Sequence, residues 1–75
     1  MSCPVCLDAA FEIEDLNKKI NNAKDIVIKA EFAEDLLAIV NSLLERHADK
    51  TLPCISVLNL RKRTAEFIIK TKKLA

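Results

Sequence analysis

The sequence predicts an all-α fold, either a small three-helix bundle or a long helical hairpin, on three observations. The 75 residues contain no glycine and only two prolines, Pro4 and Pro53, so the tight turns that β-hairpins need have almost no residues to form them. Strong helix formers fill most of the chain. Apolar positions recur at intervals of three and four rather than in alternation.

Three helices are expected. The first runs from about Asp8 to Asn21, with Asp8 placed to accept the first backbone N–H groups and Phe11, Ile13, Leu16 and Ile20 as its buried stripe. Asn21 and Asn22 tolerate the left-handed conformation that ends a helix. A continuous helix is the alternative, because the stripe extends through Ala23, Val27 and Ala30 with one extra three-residue step. The second helix spans about Asp25 to His47 and carries two apolar rows, Phe32, Leu36, Ile39 and Leu43 beside Ala33, Leu37, Val40 and Leu44. After a short polar connection, Pro53 suits the first turn of a third helix ending near Lys72. One domain covers residues 1–75, with residues 1–7 as a cysteine-bearing N-terminal arm.

A chain this short sits near the size at which one core is only marginally stable, so a metal, a disulfide or a second copy is expected to supplement it. The second helix, longer and more apolar than its neighbours can cover, points to a homo-oligomer formed through Leu36, Leu37, Val40, Leu43 and Leu44. Charge is uneven. Residues 1–47 hold nine acids and five bases, and residues 48–75 hold two acids and seven bases. An antiparallel pair of chains would set each acidic half beside a basic one.

No apolar run approaches the ~20 residues that cross a bilayer, so no membrane contact is expected. The start lacks the basic and apolar regions of a secretory signal. Three cysteines, an odd number, fit a reducing compartment, and the cytoplasm is the expected location.

The most specific local pattern is Cys3-Pro4-Val5-Cys6, since two thiolates at this spacing can hold one side of a tetrahedral zinc. His47 and Cys54, at either end of the loop between the second and third helices, can supply the other two ligands within one chain. A second copy of Cys3 and Cys6 is the alternative. That arrangement resembles the zinc hook of the coiled-coil repair ATPases, in which a CPxC turn shares zinc with its twin, and the resemblance implies half a zinc per chain. It covers four residues and departs from the hook in having no helix leading into Cys3. The run Cys-Pro-Val-Cys-Leu-Asp is also similar to the first ligand pair of RING domains, whose remaining ligands this chain lacks. A redox role for the pair would call for a βαβ setting that the chain does not offer.

Catalysis finds no support. Without glycine there is no phosphate-cradling loop, no HExxH or GxSxG pattern occurs, and no nucleophile or orienting carboxylate is marked out for His47. The third helix sets Val57, Leu60, Thr64, Phe67, Ile68 and Thr71 on one side and Lys62, Arg63, Lys70 and Lys73 on the other, a row of cations that can neutralise nucleic-acid phosphates. The expected function is therefore a cytosolic helical interaction or regulatory adaptor that needs no cofactor and lacks catalytic activity. The alternatives are a nucleic-acid-binding regulator using the basic third helix and a zinc-binding module.

Overall fold

The computed structural model describes residues 4–74, which form four helices: α1 (Pro4–Leu7), α2 (Ala10–Asn22), α3 (Ile26–Arg46) and α4 (Pro53–Leu74). No strand occurs among the described residues. The body measures 38 × 21 × 15 Å. Its long axis is set by α4, whose 22 residues span about 33 Å at 1.5 Å per residue.

The fold class agrees with the all-α expectation, and the helix ends follow local chemistry. Asp25 caps α3: its Oδ1 accepts the Val27 backbone N–H at 2.8 Å. This cap, and not a left-handed Asn21 or Asn22, separates α2 from α3. Ala23 is extended, with φ −72° and ψ 130°, and no described residue has positive φ. The continuous-helix alternative is thereby replaced by a break at residues 23–25. Asp25→Ala is expected to lower stability by about 1 kcal/mol, whereas Asp25→Asn is nearly neutral because the amide oxygen can accept the same bond. A urea midpoint that does not move in the alanine variant would show the cap to be idle.

Pro4–Leu7 forms a helical turn of its own within the N-terminal arm, and two expectations are corrected at the helix that follows. Asp8 does not cap α2; the capping position is Ala9, which makes no side-chain bond. Asp8 Oδ2 instead accepts from Arg46 Nη2 at 2.8 Å, joining the start of α2 to the end of α3. Phe11 is 82% exposed, so the buried stripe of α2 is Ile13 and Ile20 with Leu16 half covered.

α3 is the central element, packed chiefly on α4 and secondarily on α2. It contributes Ala33, Leu36, Val40 and Leu43 to a core completed by Ile13, Ile20, Leu58 and Ala65. Ala30, Ala33 and Ala65 are wholly enclosed, and these small side chains allow the helix backbones to approach closely. The apolar surface that pointed to self-association through α3 is mostly satisfied inside one chain. Leu36, Val40 and Leu43 are fully buried, and Leu37 and Leu44 are half-buried. The short α2 and the long α4 cover α3 from two directions, so most of its apolar excess is buried within one chain.

On α4 the inward face differs from the one periodicity selected. Ile55, Leu58 and Ala65 are buried and Ile69 half-buried, while Val57, Leu60 and Phe67 face water. Two apolar rows, each spaced three and four apart, wind side by side along this helix. The row that includes the small Ala65 is the one that meets α3.

Candidate metal centre

Cys6 on α1, His47 at the C-cap of α3 and Cys54 in the first turn of α4 converge at one end of the bundle. Each is placed by a local feature. α1 folds back beside the start of α2 and the end of α3, carrying Cys6 over His47. Helix α3 ends at His47 because that residue turns extended, at φ −78° and ψ 119°. In the following loop, Asp49 Oδ1 accepts from both the hydroxyl and the backbone N–H of Thr51, at 2.6 and 2.9 Å. These two bonds, the hydroxyl first, hold the exposed Asp49 carboxyl below its usual range. The turn delivers Pro53, whose missing N–H costs nothing at a helix start, and Cys54 follows it.

His47 Nε2 lies 3.3 Å from Cys54 Sγ and 3.5 Å from Cys6 Sγ. No pair among the three ligand atoms is more than 4.8 Å apart. Tetrahedral zinc, with Zn–S of about 2.3 Å and Zn–N of about 2.0–2.1 Å, sets sulfur and nitrogen about 3.5 Å apart and two sulfurs about 3.8 Å apart. The two nitrogen–sulfur separations match that requirement, and the two sulfurs lie within 4.8 Å of each other. His47 is 3% exposed and is the one buried polar side chain among the described residues.

The imidazole is held in the orientation a ligand needs. Its Nδ1 lies 2.5 Å from the Leu43 carbonyl oxygen, which can only accept, so Nδ1 carries the proton. Nε2 then turns its lone pair toward the two sulfurs. This support by a backbone carbonyl is the arrangement that fixes the tautomer of metal-bound histidines. One lone pair can accept one S–H bond at full strength, yet two sulfurs converge on it. An ion among the three atoms would engage all of them at once. A disulfide between the two cysteines would leave the imidazole without a purpose there. The positive end of the α4 dipole also complements the negative charge of a metal-bound Cys54 sulfur.

Three of the four ligands read from the sequence are thus brought together, and the fourth, Cys3, lies outside the described residues. The role of the Leu43 carbonyl was not anticipated, although its position four residues before His47 marks it as a helical neighbour. The four cations expected to form one basic face are divided. Arg63, Lys70 and Lys73 are exposed, whereas Lys62 is half-buried in a groove with Asn41, Leu44 and Glu45. No described helix is long and apolar enough to cross a membrane. Comparison with protein-family models, curated proteins and solved structures returns no significant match.

Proposed function

We propose that this chain is a non-catalytic helical interaction module clasped by one structural zinc ion. The observation that carries the reading is the mutual placement of Cys6 Sγ, His47 Nε2 and Cys54 Sγ, with Nδ1 of His47 anchored on Leu43. These ligands come from three different elements, so zinc would tie α1 and the α3–α4 junction into one body, which is the task of a closed structural site. Cys3, three residues before Cys6, is the fourth ligand in this reading. A non-catalytic role is supported by His47, whose two ring nitrogens are both engaged and which is shielded from any substrate. An interaction role is favoured over nucleic-acid binding because Leu60 and Phe67 stand exposed near the cations of α4, and phosphate contacts use polar faces.

Protein purified under reducing conditions without chelator is expected to contain about one zinc per chain. Cobalt substitution should give the visible absorption of a tetrahedral thiolate site. Cys54→Ser and His47→Gln should each abolish it. Cys3→Ser should weaken binding strongly and leave the other three ligands in place. Absence of metal after reconstitution with zinc would overturn the proposal, and half a zinc per chain would move the site between two chains.

A further inference from the structure

The outer face of α4 carries a row at the spacing of a coiled-coil seam: Val57, Leu60, Thr64, Phe67, the half-buried Thr71 and Leu74. All four large apolar members are exposed, from 52% for Val57 to 78% for Leu74. The two threonines add to the apolar character, because their hydroxyls bond back to the carbonyls of Leu60 and Phe67, at 3.0 and 2.8 Å. What they leave outward is methyl surface. A row of this length on one helix is the feature that marks an interaction site rather than scattered surface hydrophobes.

The charges beside the row decide what fits it. At 100° per residue Arg63 and Lys70 border one side and Arg61 the other. Two copies of α4 laid together would oppose these cations, which disfavours an α4–α4 pair. A second unfilled apolar surface has the opposite sign. Between α2 and α3 lies a groove of Phe11, Leu16, Ala38 and Ile39 whose only charged lining residues are Glu12, Asp15 and Asp35. Phe11 stands out of this groove almost fully exposed, and Asp15 keeps an exposed bridge to Lys19 at 3.0 Å. That bridge is solvated and easily exchanged.

We infer that the Val57–Leu74 row of α4 docks into the acidic Phe11–Ile39 groove of a second copy of this chain. Phe67 and Leu60 bury against Phe11, Leu16 and Ile39, while Arg63 and Lys70 meet Glu12, Asp15 and Asp35. The contact joins two different surfaces, so a two-fold pair uses it twice, a larger closed ring uses it once per chain, and a rotation that does not close extends the assembly. The inference does not depend on zinc, which sits at the bundle end.

Sedimentation equilibrium of the intact, zinc-supplemented protein tests it. At low ionic strength the mass should exceed the 8.4 kDa of one chain and fall toward it as salt screens the rim charges. Phe67→Ser should raise the dissociation constant roughly thirtyfold or more, as loss of a central aromatic anchor does. A chain with Arg63→Glu and Lys70→Glu should be monomeric, and so should one with Glu12→Lys, Asp15→Lys and Asp35→Lys. These side chains are exposed, so helicity should be kept. Mixing the two charge-reversed chains should restore association, because each then offers the other an opposite rim. A wild-type mass of one chain at all concentrations would overturn the inference and leave an acidic segment of another protein as the occupant. Association that survives either reversal, or a mixture that stays monomeric, would overturn the pairing of these two surfaces.

Discussion

With the proposed zinc site, adding chelator to the reduced, zinc-reconstituted protein is expected to lower its thermal midpoint by about 15–30 °C. The estimate follows from linkage, since an ion present at about a thousand times its dissociation constant stabilises the folded state by roughly 4 kcal/mol, and each kcal/mol moves a domain of this size by about 4–8 °C. The effect is large because so little else holds α1. It is a single turn with no buried residue, held by the half-buried Val5 and Cys6 against the core and by Cys6 beside His47. Loss of metal should therefore release α1 first and expose His47. Acid should act in the same direction: the metal needs deprotonated thiolates and a neutral imidazole, so its stabilisation is present at neutral pH and is lost as pH falls. Circular dichroism melts with and without chelator, in the presence of a reductant, provide the check. Identical midpoints would mean that the three side chains pack without a metal.

Leu36→Ala is expected to destabilise the zinc-loaded protein by about 2–5 kcal/mol, the range for emptying a fully enclosed leucine site. A chain of this length has only about 4–11 kcal/mol in total at the usual stability per residue. The loss is then a large fraction of what the chain itself supplies. Leu36 is the better test residue than Leu43, because the Leu43 carbonyl also supports His47 and its replacement would mix two effects. Phe11→Ala is the control. Although it removes a larger side chain, Phe11 lies outside the core, and the change should stay within about 0.5 kcal/mol when measured on the monomer. Urea denaturation compares the two. A Leu36→Ala variant as stable as the Phe11→Ala one would mean that α3 is not enclosed as described.

Much of this arrangement was legible in the residues. The absence of glycine, the three-and-four spacing and Pro53 determined an all-α chain with a break before α4, because these are local effects of backbone freedom and side-chain periodicity. The same local reading placed Asp25 at the head of α3 and His47 at its end. It also offered Cys3, Cys6, His47 and Cys54 as one possible ligand set, on the spacing of the cysteine pair and the position of His47 and Cys54 at the ends of one loop, and left a site shared between two chains as the alternative.

Only the tertiary structure decided the rest. Cys6 lies 41 residues from His47, and no local signal states that α1 folds back over the end of α3. On α4, Ile55, Leu58, Ala65 and Ile69 compete with Val57, Leu60, Phe67 and Leu74, and both rows fit a helical repeat. Periodicity alone cannot rank two such rows. Packing can, because Ala65 permits the close approach to α3 that the bulk of Phe67 would prevent. The same reason explains Phe11 and the rows of α3: burial depends on which neighbouring helix arrives, and α2 is too short and α4 too one-sided to cover every apolar residue the sequence offers.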